Sequence, residues 1–252
     1  MQPEQILTCA LDIGEQMLIS GAEIGRVEET IRHICRAYGC GRADVHSITT
    51  LIVTTVEYGD HEFHTQSRRI TGVHTDLTRL DRLNALSRSI CGEKPEYDFV
   101  QEQIRQICSA KTYPLWLEAL VSGLITGAFA VFFGGSWIDG AVAAVLGLGM
   151  RYVLWTLQKF RLNQILNNVL ASFLVCTASF AATRFGLGED VSMIIIGNIM
   201  PLIPGIALTN SLRDMISGDI MSGMLRFFDA MLVAAAIAAG YILAAQMMGG
   251  GL

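Results

Sequence analysis

The hydrophobic run from Val191 to Leu208 is interrupted by Pro201, Pro204 and Gly205, with Asn198 just ahead of the break. Proline lacks a backbone N–H and its ring clashes with the preceding turn, so a helix carrying Pro-x-x-Pro-Gly cannot stay regular. Inside a bilayer, freed peptide groups are tolerated only where protein or a water-filled cavity satisfies them. A broken, polar-marked helix at that depth is a place to hold a solute. The chemistry would be hydrogen bonding. Free amides at a half-helix N-terminus favour a carboxylate. The Asn198 amide both donates and accepts, which suits a zwitterion as well as an acid. On an unbroken helix Asn198, Gly205 and Thr209 would share a face, at offsets of seven and eleven residues. Asn210, Arg213 and Asp214 follow directly and, with Pro201 and Pro204, complete a candidate substrate-binding or gating segment. A kinked packing helix whose Asn bonds a neighbour is the plainer alternative.

A second polar stripe runs through Asn168, Ser172, Cys176, Ser179 and Thr183, at spacings of four, four, three and four. It could line a pathway, with Asn168, Ser172 and Ser179 as its hydrogen-bonding members. Small hydroxyl residues also pack membrane helices against each other. Ionisable residues in the apolar half are few: Glu118, Asp139, Arg151 and Asp229 sit within a turn or two of span ends. Asp139 and Asp229 are candidates for a proton relay, or else solvated interfacial carboxylates. Elsewhere the sequence argues against catalysis. His61-Glu62-Phe63-His64 lies in a strand pattern, where side chains three apart point to opposite faces, so no metal site is expected. No phosphate-binding Gly-x-x-x-x-Gly-Lys-Ser/Thr loop and no Gly-x-Ser-x-Gly elbow occurs. The sequence therefore predicts no catalytic residues, no cofactor and no enzyme.

The elements that carry these residues follow from composition. The chain has 252 residues, 52% hydrophobic and 16% charged, with mean hydropathy +0.44, too apolar for an ordinary soluble domain. Residues 1–114 hold 12 of the 18 Lys and Arg and 16 of the 23 Asp and Glu. Two bodies are predicted: a cytoplasmic α+β domain over 1–114 and a membrane domain over 115–252. The net charge of −5 gives no support to nucleic-acid binding. The six cysteines form no Cys-x-x-Cys pair and read as reduced, half-buried thiols. Amphipathic helices are expected at Gln5–Ser20, Glu23–Tyr38, Asp76–Cys91 and Tyr97–Ala110. Between them, β-branched Val45–Tyr58 turns at Gly59-Asp60 into His61–Ile70, a hairpin with room for one more strand before it. The only low-complexity stretch is Gly249-Gly250-Gly251.

Five transmembrane helices are predicted: Leu115–Phe133, Trp137–Leu157, Ile165–Thr183, the broken Val191–Leu208 and Met224–Met247. Each approaches the roughly 20 residues that cross the hydrocarbon core. Gly123-x-x-x-Gly127 and Ala236-x-x-x-Gly240-x-x-x-Ala244 are small-residue seams that need close neighbours, from this chain or a partner. Arg105, Lys111, Lys159, Arg161, Arg213 and Arg226 fall on one side of these spans and Arg184 on the other. The positive-inside rule then places the N-terminus in the cytoplasm and the C-terminus outside the inner membrane.

Several stretches together resemble the threonine/serine exporter family, whose two-chain members include a succinate exporter. They are Ser20-Gly21-Ala22-Glu23 running into Arg26-Val27-Glu28-Glu29, the hairpin with Thr54 and Thr55, Tyr113-Pro114-Leu115-Trp116, and the Gly134–Gly140 loop. The most specific runs from Leu202 through Pro204-Gly205 and Thr209-Asn210-Ser211-Leu212-Arg213-Asp214 to Met215, with Gly218-Asp219 after it. The likeness covers nearly the whole chain. It implies gradient-driven export of amino acids or dicarboxylates, without ATP. Some members are long single chains and others split in two. This sequence looks like the longer half, which implies a small multi-span membrane subunit as partner. A small solute and membrane lipid are the other expected partners, and a higher oligomer fits the small-residue seams. The Ser-Gly-Ala-Glu turn is either a plain helix connection or a gating element. A membrane-anchored sensor or scaffold with a cytoplasmic ligand-binding domain is the alternative function, but a pure anchor would not need a Pro-broken polar span.

Overall fold

The computed structural model describes residues 1–59, 62–110, 113–159 and 163–248, without the side chain of Gln158. Asp60, His61, Lys111, Arg161 and Gly249-Gly250-Gly251, which enter the sequence reading, lie outside the described residues. Contacts divide the chain into two compact units, 1–111 with 205–228 and 112–204 with 229–252.

The first unit opens with helices α1 (Pro3–Ile19) and α2 (Ile24–Ala37). Their predicted apolar faces are the buried ones: Ile6, Leu7, Ala10, Leu11, Met17 and Leu18 on α1, and Ile24, Val27, Ile31 and Ile34 on α2. Three antiparallel strands follow, β1 (Arg42–Ile48), β2 (Leu51–Tyr58) and β3 (Glu62–Arg69), in the order β1-β2-β3. The expected single strand from Val45 to Tyr58 is therefore two. Ile48 pairs with Leu51 across a two-residue turn, Thr49-Thr50. That turn lacks the Gly or Asn that normally marks such hairpins, so β-branched residues run through it without a break in the pattern. Ile52, Thr54 and Val56 of β2 face the core. On β3, Arg68 donates to Asp12 Oδ1 of α1 at 3.0 Å. Helices α3 (Leu77–Glu93) and α4 (Tyr97–Cys108) close the layer, and the Asp76 side chain caps α3 by accepting from Arg79 N–H at 2.9 Å. The predicted α+β arrangement of helices on a small sheet is what the structure contains.

The second unit is built on α5 (Leu115–Phe132), α6 (Trp137–Lys159), α7 (Gln164–Arg184) and α8 (Val191–Ile199). The chain continues through one 3-10 turn, Met200–Leu202, into α9 (Gly205–Ile216) and α10 (Ile220–Met247). Among the described residues, α5, α6, α7 and α10 are long and apolar enough to cross a membrane. The bent pair α8 and α9 counts as a fifth span if taken together. The broken span differs from its expected bounds. The helix after the break does not end at Leu208 but runs to Ile216, because Gly205–Ile216 contains no further proline or glycine to stop it. Helix α10 likewise starts four residues earlier than Met224.

Both small-residue seams find partners inside the chain. A methyl group on Gly123 or Gly127 would sit 2.8 Å from a backbone oxygen of α6 (Ala144 or Gly140), and one on Gly240 would sit 2.4 Å from Val169 O of α7. All six thiols are free. Burial pushes the Cys9 thiol up to about 12, which keeps it protonated and inert at neutral pH.

Candidate functional site

Helix α8 is set from its first residue. The Asp190 side chain accepts from Ser192 N–H at 2.8 Å and caps it. Asp139, 1% exposed, accepts from the N–H groups of Glu189 (2.7 Å) and Asp190 (3.1 Å), and from both N–H and Oγ of Ser136 (3.0 Å each). One carboxylate thus ties the start of α6 to the loop before α8. It is not the solvated interfacial group that its position near a span end suggests.

At the other end of α8 the backbone closes on α5. A methyl group on Gly197 would sit 2.6 Å from Thr126 O and 2.9 Å from Ala130 Cβ, so only glycine fits there. Asn198, 2% exposed, donates its Nδ2 to Ile194 O at 2.9 Å, one turn back on its own helix. That bond identifies the nitrogen, because a carbonyl needs a donor. The Oδ1 atom is buried without a donor. Pro201 follows within a turn, and since it has no N–H, the Gly197 carbonyl loses its normal helical partner. Met200 N–H still reaches Ile196 O, and Ile203 N–H reaches Met200 O at 3.2 Å. The break therefore lies beside one buried acceptor without a donor, the Asn198 amide oxygen.

At the break Pro204 is half-buried, and beyond it Gly205 is exposed, as is Thr209, whose hydroxyl donates to Gly205 O at 2.9 Å. The next three candidates behave differently. Asn210 Nδ2 donates to Gly21 O at 3.0 Å. Arg213 pairs with Glu23. Asp214 Oδ1 accepts from Ile24 N–H at 3.2 Å, and its Oδ2 lies 3.1 Å from Arg226 Nη1, held by charge rather than by an aligned hydrogen bond. Arg226 Nη2 in turn donates to Ala22 O at 2.7 Å. These residues all belong to the first unit. The sequence-predicted segment is divided between the two units. Asn198 and Pro201 belong to the second unit, and Gly205, Thr209, Asn210, Arg213 and Asp214 to the first.

Two members of the α7 stripe have their hydroxyl protons engaged. Ser172 Oγ donates to Ile237 O of α10 at 2.7 Å, and Ser179 Oγ donates to Val175 O of its own helix at 2.8 Å. Both are buried, Asn168 is half-buried, and Asp229 is exposed on α10. Sequence reasoning missed the ion pair between Glu118 of α5 and Arg151 of α6, with Nε at 2.9 Å from Oε2. A signal existed. Glu118 lies fourteen residues before the end of α5 at Phe132, and Arg151 lies fourteen after the start of α6 at Trp137. Residues equidistant from a short loop meet in an antiparallel helix pair. Among the described residues no His, Cys, Asp and Glu cluster could hold a metal ion.

Long apolar helices around an interrupted, partly unsatisfied segment define a multi-pass α-helical membrane protein. The family model described as "Putative threonine/serine exporter" (ThrE) matches residues 8–248, so the chain belongs to this family. It is 26% identical to "Probable succinate transporter subunit YjjP" of Klebsiella aerogenes, over 96% of this chain and 92% of that protein. To YjjP of Escherichia coli it is 25% identical, over 99% and 98%. With "Threonine/serine exporter" of Corynebacterium glutamicum the identity is 27%, over 96% of this chain but only 51% of the relative. The chain thus spans nearly all of the former two and about half of the latter. No solved structure matches it. Membership in a transporter family makes the protein a transporter rather than an enzyme.

Proposed function

We propose that the chain is a subunit of a secondary-active exporter of small polar metabolites, either threonine and serine or a C4-dicarboxylate such as succinate. The observation that carries this reading is the Asn198 amide oxygen, buried without a donor next to the Pro201–Pro204 break. A buried acceptor without a partner costs about 1–3 kcal/mol, so its retention favours a use. A solute ammonium or hydroxyl group passing the break would satisfy it. The relatives' names support the same two solute classes.

The protein works in the cytoplasmic membrane as a five-span subunit, with α8 and α9 as the interrupted span, its N-terminus in the cytoplasm and its C-terminus outside. A small multi-span membrane subunit supplies the rest of the transporter. The word "subunit" in the YjjP names favours such a partner. Asp139 and Asp229 are the carboxylates open to a proton-relay role, and Asn168, Ser172 and Ser179 those open to pathway lining.

The test is efflux. Cells loaded with a threonine-containing dipeptide or with succinate should export the solute faster when this chain and its small neighbour are present. The double variant P204A/G205L should insert normally and export at background. Wild-type efflux from that variant removes the break from the mechanism. Unchanged efflux of every solute, with or without the chain, would favour the sensor reading.

A further inference from the structure

The α2 helix is capped from outside its own sequence. Its N-cap residue, Glu23, makes no side-chain cap bond. The first-turn N–H of Ile24 goes instead to Asp214 Oδ1, 190 residues away. The turn that precedes it is built to be read by another element. Gly21 takes φ +91, a left-handed conformation that favours glycine, and Ala22 N–H closes back onto Met17 O at 3.0 Å. This leaves the carbonyls of Gly21 and Ala22 pointing out of the turn. They meet two donors, Asn210 Nδ2 and Arg226 Nη2, while the Ile24 N–H meets an acceptor, Asp214 Oδ1. The reading elements are themselves rigid. A methyl group on Gly223 would sit 2.7 Å from Ser211 O, and Asp219 N–H closes onto Asp214 O at 2.9 Å, so α9 and α10 form a tight hairpin.

We propose that Asp214 and Arg226 are positioning residues that latch the α9–α10 hairpin onto the Ser20–Glu23 turn, and that export requires this latch. Helix α9 begins directly after the Pro204 break, so the latch fixes where the far side of the interrupted segment is held. The two groups are 2% and 8% exposed and lean on each other. A buried charge that loses its partner is strongly penalised, so the joint is closed by both or by neither. This assigns Asn210, Arg213 and Asp214 to holding the protein's own turn rather than the solute. The export readout below rests on the proposed function; the cross-linking readout does not.

Gly25 and Asp219 face each other across the joint, with 3.9 Å between a Cβ built on Gly25 and Asp219 Oδ2. In the full chain carrying G25C and D219C, oxidative cross-linking in membranes reports the closed latch, with each single-cysteine variant as control. D214A and R226M should slow that cross-link about tenfold or more. They should lower the maximal export rate similarly, while the solute concentration for half-maximal export, measured as uptake into inside-out vesicles, stays unchanged. R226K should restore part of both, because an ammonium can still face Asp214 but lacks the fork that also reaches Ala22 O. If D214A fails to reach the membrane, D214N keeps an oxygen for Ile24 N–H and should give an intermediate rate. Cross-linking at the wild-type rate in these variants would overturn the latch. Slow cross-linking with normal export per inserted molecule would overturn its role in export. A raised half-saturating concentration at unchanged maximal rate would make Asp214 a solute ligand instead.

Discussion

Asn198 and Asp214 lie sixteen residues apart on the two sides of one proline break, and both are 2% exposed. Their surroundings are opposite. Asn198 has spent its donor on its own helix and keeps an acceptor that nothing meets. Asp214 Oδ1 accepts from a backbone N–H, and its Oδ2 faces a guanidinium that is itself placed by a further contact, to Ala22 O. Burial alone therefore does not tell the two apart. What faces the oxygen without a hydrogen bond does: Asp214 Oδ2 lies 3.1 Å from the Arg226 guanidinium, whereas Asn198 Oδ1 is buried without a donor, at a cost in free energy that a passing ligand can recover.

Three substitutions test that contrast, beginning with the largest effect. D214A should destabilise the protein by about 3–5 kcal/mol, since it leaves Arg226 charged, buried and unpaired. Thermal unfolding in detergent measures this, and the pair D214L/R226M should recover most of the loss. A single variant no less stable than the double one would show that the pair is not a lock. D139A comes next. It strips the acceptor from three N–H groups and a hydroxyl, and orphaning even one such donor costs about 1–3 kcal/mol. D139N retains an oxygen and should keep the fold; export that survives in D139N would take Asp139 out of any proton relay. The smallest change in stability belongs to N198L. Removing an unmet acceptor should leave stability unchanged or raise it by about 1 kcal/mol, while export falls. A clear drop in the melting temperature would mean that the Asn198 oxygen already has a partner, and the contrast with Asp214 would disappear.

Much of the fold was legible in the residue order. Helices α1 and α2 bury the stripes that their spacing predicted, and the spans at α5, α6 and α7 begin and end within two residues of their expected bounds. Those signals are local: an apolar stripe repeats every turn, and a run of apolar residues either reaches across a bilayer or does not. The division of β1 from β2 was hidden because Thr49-Thr50 is as β-branched as the strands around it. The site was legible only in part. The break and its polar flank could be found by inspection. The commitment of Asn210, Arg213 and Asp214 to a turn some 190 residues earlier could not, because neither residue type nor spacing reports which distant backbone groups are left unpaired.

The amino-acid order alone determined where helices could run and where one had to stop, since proline forbids a peptide hydrogen bond wherever it stands. Which polar groups near that stop are occupied and which are open was decided only by folding. A carboxylate such as Asp214 or Asp139 is engaged when chain from far along the sequence brings it donors, and the Asn198 oxygen stays without one because none arrives.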